Sequence, residues 1–459
     1  MSEDKVRAMT FPREGDCSGE LSEKRRLRVA FHTLGCRSNY ADTVDIQSAV
    51  SAREAVACDF DGMADVYVLN TCTVTDDADR SAYKLIRRVR DKHPEARVIV
   101  TGCLAEVSAT ELCKPGLADV VIGTGRASEV VAAIFAEVKA VKEPMSLPVA
   151  LEGPGSAVGE NRMRARYSLR IQDGCDNHCT FCVIPQTRGK SWSWPIEKVM
   201  GDIKRLWRAG YREVVLSGTN LGSYGRERNE SFIELLAALS KEKEIPRIRL
   251  SSLDPEDVGD EFLGLIADKC DVFCNHLHIC VQSFSDRVLK LMNRRHRVAD
   301  VVKMISYIAA KMPKCCVGID CIVGFPGESE QCFSEGLAIL ESLPLAYLHV
   351  FPYSERQNTA AAKLQGRVDN DERRRRAALL RALSRRRLRE FNRSLVGREV
   401  EIIVESSRAG YICGTTREYA TAHLKTQSGI RNIELSVGAV AKLRAIDCDE
   451  NEDVLICEL

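Results

Sequence analysis

The chain has 459 residues, of which 45% are hydrophobic and 29% charged, and its formal net charge is +1. This is the balance of a soluble globular protein long enough for two or three cored domains. No apolar run approaches the length that spans a bilayer, so no membrane partner is expected, and a charge near zero by itself neither requires nor forbids nucleic acid.

The first twenty residues, MSEDKVRAMTFPREGDCSGE, carry no apolar stretch after their charges. They do not read as a secretory signal, and residues 1–26 are expected to be a short disordered lead-in. Nineteen cysteines are many for such a chain. Without a signal they are not a disulfide framework, and reduced thiols fit a cytoplasmic setting. Most can be small buried hydrophobes. Only those at special spacings stand out as ligands.

Residues 27–140 alternate short apolar runs with helical stretches such as 76–92. RVAFHTLGC ends at Cys36, DVYVLNTC at Cys72 and RVIVTGC at Cys103. Each run predicts a buried parallel strand, and the cysteines fall about one βα unit apart. All three thiols therefore sit at strand C-terminal ends, the edge where open α/β sheets bind ligands. Residues 141–166, with PMSLPVALEGPGSAVGENR, read as a linker.

Six further strands are predicted in the next domain, 167–395, at 167–174, 213–220, 247–254, 276–283, 315–325 and 347–353. Helical patterns such as IEKVMGDIKRLW and FIELLAALSKE lie between them. Six units suggest an incomplete (β/α)6 barrel, with chemistry gathered at the strand C-terminal ends. Polar or glycine residues stand there: Gly218, Thr219 and Asn220; Ser252 and Asp254; Gln282 and Ser283; Asp320 and Gly324; Tyr353 and Ser354. Residues 371–393 form a helix-compatible run with ten arginines and three acids. Residues 397–459 then give five short strands, as in a small antiparallel barrel. The fold class expected is α/β: an N-terminal doubly wound parallel sheet, the incomplete barrel, and a small C-terminal β-barrel.

The sharpest motif is GCDNHCTFC, which places Cys175, Cys179 and Cys182 as C-x3-C-x2-C directly after the first barrel strand. Three thiolates on one short loop can hold three irons of a [4Fe–4S] cube and leave the fourth open. An open iron can chelate the amino and carboxylate groups of S-adenosylmethionine and deliver an electron that cleaves the sulfonium. A zinc site with His178 as fourth ligand, and an inert buried trio, stay open as alternatives at this point.

The trio, with Phe181 before its last cysteine, resembles the radical S-adenosylmethionine superfamily. The fuller CDNHCTFCVIPQTRG resembles the methylthiotransferases within it. TLGCRSN, NTCTVTDDAD and TGCLAE upstream, and RLSSLDP, HLH…VQSFSDRVLKLMNRR, DCIVGFPGE and HVFPYS downstream, are similar to that family too. The C-terminal barrel is similar to a TRAM domain, an RNA-binding module. The resemblance runs from about residue 28 to the end. It implies a second [4Fe–4S] cluster on Cys36, Cys72 and Cys103, which carries the sulfur to be transferred. It also implies S-adenosylmethionine both as methyl donor and as radical source. No His or Glu general base is nominated, because an aromatic C–H is a poor target for acid–base activation. Gly218 to Asn220 fall where the superfamily binds the methionine amino group. Ser252, Gln282 and Asp320 are the other candidate contacts.

Family members act on tRNA adenosine-37 derivatives or on a ribosomal-protein aspartate. NTCTVTDDAD most resembles the branch acting on N6-threonylcarbamoyladenosine, as does the TRAM stretch around Tyr419. The implied partners are tRNA, an electron donor of flavodoxin or ferredoxin type, and a sulfur source. The arginine-rich 371–393 run could track phosphates. The terminal barrel is acidic, with seven Lys and Arg against eleven Asp and Glu. RNA contact there would rest on local residues, Tyr411, Arg417 and Tyr419. The chain departs from the family pattern at Arg37, at Phe284 where glycine is usual, at KSWSWP with Trp192 and Trp194, and at Asn358. Two rival readings are a methylthiotransferase of a protein substrate and an iron–sulfur RNA-binding protein without turnover.

Overall fold

The computed structural model describes residues 26–53, 55–136, 165–269, 271–408, 411–425, 435–449 and 453–459. The expected lead-in up to residue 25 and the expected linker up to residue 164 lie outside the described residues.

The N-terminal sheet has five parallel strands: β1 (Arg28–Thr33), β2 (Val56–Cys58), β3 (Val66–Thr71), β4 (Arg97–Gly102) and β5 (Val120–Ile122). Their order, β2-β1-β3-β4-β5, is doubly wound. Strands β2 and β5 are three residues each, too short to print a periodicity on the sequence. Central β3 is buried throughout, because helices cover both faces. Tyr67 and Leu69 pack to one side with Ile86 and Val89 of α2 (Asp76–Lys92). Val66 and Val68 pack to the other with Ile46 and Val50 of α1 (Arg37–Ser51).

The middle domain contains the predicted six-strand wall. Its strands are β6 (Tyr167–Arg170), continued by β7 (Gln172–Asp173), which pairs with β8 (Trp192–Ser193); β9 (Glu213–Ser217); β10 (Arg247–Leu250), continued by β11 (Ser252–Leu253); β12 (His276–Gln282); β13 (Cys316–Val323); and β14 (Tyr347–Pro352). They hydrogen-bond as two parallel sheets, β10-β9-β6 and β11-β12-β13-β14. Leu253, Ile279, Val281, Ile319, Val323 and Leu348 face the helices in one large core. The alternate residues, including His278, Asp320 and His349, therefore line the lumen.

Phe284 joins the helix-side core at 5% exposure, and its Cβ packs against Gly336. The bulky ring thus fills core and does not enter the lumen. Asn358 takes φ 69°, a left-handed turn that asparagine tolerates.

The C-terminal strands β15 (Glu399–Arg408), β16 (Tyr411–Thr416), β17 (Thr421–Lys425), β18 (Val440–Asp449) and β19 (Val454–Glu458) close a barrel in the order β15-β16-β17-β19-β18. Four of its five pairings are antiparallel. The β17–β19 pair is parallel, because the chain crosses over before its last strand to close the barrel.

This barrel plugs the N-terminal end of the six-strand wall. Glu213 is fully buried and accepts from Arg247 Nε at 2.7 Å and Arg249 Nε at 2.7 Å. The same guanidinium groups donate to the carbonyl oxygens of Thr415, Thr416 and Arg417. Burial works against the Glu213 charge, but Arg249, Arg247 and Arg166 hold its carboxyl down at about 2. Its folded pKa lies below its unfolded one, so its stabilisation is present above about pH 4.5 and is lost as pH falls toward 2. Glu213→Gln should therefore destabilise the chain by about 3–5 kcal/mol at pH 7. In urea melts the deficit should shrink below pH 4. A deficit under 1 kcal/mol at pH 7 would show that the seam does not depend on this charge.

Candidate active site

The ends of β1, β3 and β4 bring Cys36, Cys72 and Cys103 to one sheet edge. Cys36 caps α1, Cys72 follows β3, and Cys103 opens the short helix Cys103–Val107. Gly35 has φ 103°, and a Cβ there would lie 2.6 Å from Cβ of Cys72 and 3.0 Å from its sulfur. Only glycine allows the Cys36 loop that close to the Cys72 strand end. Asn39, wholly buried on the first turn of α1, ties the edge together. Its Nδ2 donates to Leu34 O at 2.9 Å and Thr71 O at 3.0 Å. Its Oδ1 faces the Cys36 and Cys103 thiols at 3.8 and 3.7 Å.

The second trio lies on the loop leaving β7. Each of its sulfurs faces an N–H donor: Cys175 from Asn177 N at 3.4 Å, Cys182 from Ile184 N at 3.4 Å, and Cys179 from Arg294 Nη1 at 3.5 Å. Asp254 clamps this arrangement, accepting from Arg294 Nη2 at 2.6 Å and Asn177 Nδ2 at 3.0 Å. His178 is exposed, and its carbonyl is held by Asn293.

Both trios suit iron–sulfur clusters better than zinc. A tetrahedral zinc with Zn–S near 2.3 Å sets its sulfurs about 3.8 Å apart. Among the described residues neither trio closes to within 4.8 Å all round. A cube binds each thiolate at its own corner. Burial pushes the Cys103 and Cys182 thiols up to about 12. Such thiols ligate only where positive charge compensates for burial. Arg188 stands beside the first trio and Arg294 beside the second, and each has a buried Nε with no protein partner.

Gly218, Thr219 and Asn220 wrap against the second trio. A Cβ on Gly218 would lie 2.7 Å from Gln172 Oε1. Thr219 Oγ1 donates to Gly174 O at 2.5 Å, and Asn220 N donates to Gln172 Oε1 at 2.8 Å. Asn220 Nδ2 lies 3.9 Å from the Cys175 sulfur, while its buried Oδ1 has no partner. An unfilled acceptor beside the three-cysteine loop suits an ammonium donor such as that of a bound amino acid.

Ser252 and Asp320 line the lumen lower down, where β11 and β12 register Ser252 against His278. Asp320 Oδ1 accepts from His278 Nε2 at 2.8 Å and lies 3.4 Å from His349 Nδ1; Oδ2 accepts from the Cys280 thiol at 3.4 Å. Burial opposes its charge, but the hydrogen bonds from His278 and His349 hold Asp320 well below the usual carboxylate range. Tyr347 Oη extends the chain, 3.0 Å from His278 Nδ1 and 2.8 Å from His276 Nε2. Gln282 takes φ 72° at a shift in the β12–β13 register. It borders a small cavity with Phe333 and Leu380 of the outer helices, apart from the Thr219–Asn220 group.

The candidate RNA contacts are differently placed. Arg417 donates to Asp271 O and Phe273 O and pairs with Glu401, while the Tyr419 ring lies tilted against His276 with centroids 4.2 Å apart. Both serve the seam between the two barrels. The Tyr411 side chain lies outside the described residues. On the long helix Asn370–Leu395, Arg374, Arg375, Arg376, Arg386, Arg387 and Arg389 all pair with acids, so most of that charge is neutralised locally.

Sequence reasoning did not single out Asn39, Arg188, Arg294, His278 or His349. Asn39 and Arg188 lie within TLGCRSN and CDNHCTFCVIPQTRG, three and six residues past a cysteine. The His278 signal is the period-two spacing of HLH on a strand.

A parallel wall ending in a three-cysteine loop, beside a polar strand-end cradle, defines a radical S-adenosylmethionine enzyme, and residues 169–338 match the Radical SAM superfamily. Residues 28–123 match Uncharacterized protein family UPF0004. The threonylcarbamoyladenosine tRNA methylthiotransferase of Aquifex aeolicus (strain VF5) is 35% identical over 395 residues, 83% of this chain and 94% of that one. The tRNA-2-methylthio-N(6)-dimethylallyladenosine synthase of Syntrophus aciditrophicus (strain SB) is 31% identical over 84% of this chain and 86% of its own. The radical S-adenosylmethionine methyltransferase TsrM from Kitasatospora setae, solved with cobalamin and a [4Fe–4S] cluster, shares the fold with TM-score 0.52 and 13% identity, covering 71% of this chain and 72% of that one. The chain belongs to the radical S-adenosylmethionine methylthiotransferase family. Enzymes of this family use S-adenosylmethionine and two [4Fe–4S] clusters.

Replacing Cys175, Cys179 and Cys182 together by Ala should leave about four of about eight irons per chain after anaerobic reconstitution. Iron and sulfide analysis reads this directly. A full iron complement in that variant would remove the trio as ligands.

Proposed function

We propose that the enzyme converts N6-threonylcarbamoyladenosine at position 37 of tRNA to its 2-methylthio derivative. The observation that supports this reading is that the elements bearing the two three-thiol groups are tied together, by Arg188 between Asn39 and Asp173 and by Thr124 on the Thr187 carbonyl. On it, residues 27–140 hold the sulfur-donating site on Cys36, Cys72 and Cys103. Residues 167–395 hold the radical-generating site on Cys175, Cys179 and Cys182, and residues 397–459 form the TRAM-like module. When bound, the clusters and S-adenosylmethionine supply the electron, the radical and the methylthio group. The chain's own residues bind and orient. Gly218, Thr219 and Asn220 seat the methionine end, with Asn220 Oδ1 receiving its ammonium. Ser252 and the ionised Asp320 present acceptors in the lumen. Asp254 and Arg294 fix the cysteine loop. The resemblance of NTCTVTDDAD and the 35% identical relative favour the threonylcarbamoyl substrate. On this reading the enzyme works in the cytoplasm on tRNA, with a flavodoxin- or ferredoxin-type electron donor and a separate sulfur source. Among the described residues no helix is long and apolar enough to cross a membrane.

Deleting the gene in its host should abolish 2-methylthio-N6-threonylcarbamoyladenosine in digested total tRNA and accumulate its precursor, read by mass spectrometry. Cys179→Ala should fail to complement. Loss of the methylthio group from the isopentenyl derivative instead would move the enzyme to that branch. No change in any nucleoside would point to the ribosomal-protein aspartate.

RNA also needs a basic surface, and α2 offers one close to the mouth. Arg80, Lys84, Arg87, Arg88 and Lys92 are exposed, and the last four turns of helix spread them over about 18 Å. Lys84, Arg87 and Lys92 have no acidic partner among the described residues. Reversing these three to Glu should weaken tRNA binding and flatten the slope of log K against log salt by up to about 2–3 units. Fluorescence anisotropy across salt concentrations measures both, and an unchanged slope would put the phosphate contacts elsewhere.

A further inference from the structure

Arg188 lies six residues past Cys182, on the chain that forms the radical-site loop, yet its guanidinium ends at the other cysteine edge. Its side chain is 1% exposed. Nη2 donates to Asn39 Oδ1 at 2.5 Å, the same oxygen that faces the Cys36 and Cys103 thiols, and to Asp42 Oδ2 at 3.1 Å. Nη1 donates to Asp173 Oδ2 at 2.6 Å, two residues before Cys175. Its Nε is buried and has no protein partner. Arg170 completes the set, pairing with Asp42 and with Asp173 at 3.0 Å. Thr124 Oγ1 donates to the carbonyl of Thr187, so the neighbouring backbone is also fixed to the N-terminal sheet.

We propose that Arg188 is a positioning residue of the auxiliary cluster site. It is a fixed positive charge, delivered from the radical domain, that orients Asn39 and offsets the thiolate charge of Cys36 and Cys103. This rests on the reading that those cysteines hold a cluster. The chemistry suits the place. An arginine stays protonated in a buried site, and its planar fork can serve Asn39, Asp42 and Asp173 together while its Nε stays free for a sulfur acceptor. Charge and hydrogen bonds next to cluster sulfurs set the reduction potential. A positive group stabilises the more negative, reduced state and so raises that potential. The auxiliary site is then electrostatically complete only when the two domains are docked, because its counter-charge belongs to the other domain.

The test uses the full chain with Cys175, Cys179 and Cys182 changed to Ala, so that only the auxiliary cluster is present. Midpoint potentials come from redox titration monitored by electron paramagnetic resonance, beside iron content. Arg188→Gln should shift the midpoint to more negative potential or lose the iron, and Arg188→Lys should recover most of either change. Asp42→Asn, an isosteric change that removes one counter-charge from Arg188, should shift the midpoint the opposite way. General loosening of the fold cannot produce shifts of opposite sign. Unchanged midpoint and iron in Arg188→Gln, or shifts of the same sign in Arg188→Gln and Asp42→Asn, overturn the proposal. Absence of iron from the parent protein overturns the cluster reading together with it, and that outcome is distinct from the other two.

Discussion

Two parallel sheets present their carboxyl edges to each other, and a buried set of two arginines and two aspartates holds them there. Asp42 comes from α1 and Asp173 from the end of β7, just before the cysteine loop; Arg170 and Arg188 each touch both. Single charges would be very costly at such burial, but two of each sign with shared hydrogen bonds are tolerated. Asp45 adds a third carboxylate at the rim, where burial pushes its pKa up to about 6 despite Arg170. This set ties the first turn of α1, beside Cys36, to the end of β7, just before Cys175.

The opposite end of the barrel follows the same logic with other residues. Glu213, Arg247 and Arg249 are buried at the strand starts, and the two arginines spend their outward hydrogen bonds on backbone carbonyls of the C-terminal barrel. Tyr419, at φ 70°, closes the plug by lying against His276. Among the described residues this covers the strand starts, and the carboxyl-end side of the lumen lies beside the cysteine loop. This agrees with the polar side chains collected there: Asn220 and Asp254 near the trio, with Asp320, His278 and His349 below them.

Charge counted along the sequence overstates the free positive charge of the long helix Asn370–Leu395. The long arginine-rich helix looks basic in sequence. Its acids at Asp371, Glu372 and Glu390 lie one turn from their arginines, Glu330 and Glu341 arrive from the neighbouring helix Glu330–Ser342, and Glu328 from the turn before it. The partners are invisible to a linear count because more than half of them, Asp453 on Arg389 included, belong to other elements. On α2 three of the four acids sit in the first turn, where they favour the helix N-terminus, and beyond them Asp91 stands among the five exposed cations Arg80, Lys84, Arg87, Arg88 and Lys92.

The sequence alone determined the repeating strand–helix alternation, the six cysteines at strand ends and on one loop, and the five-strand tail. Those features are local: a buried strand is a run of apolar residues, and a three-cysteine loop is a spacing. The strands β2 and β5 escaped because three residues carry no period. Only the tertiary structure decided that Arg188 crosses from one cysteine site to the other, that Arg417 and Tyr419 belong to a domain seam, and that Phe284 turns into the core. Each of these depends on which distant surface a side chain meets, and burial, ion pairing and stacking are properties of that meeting and not of the residue that takes part in it.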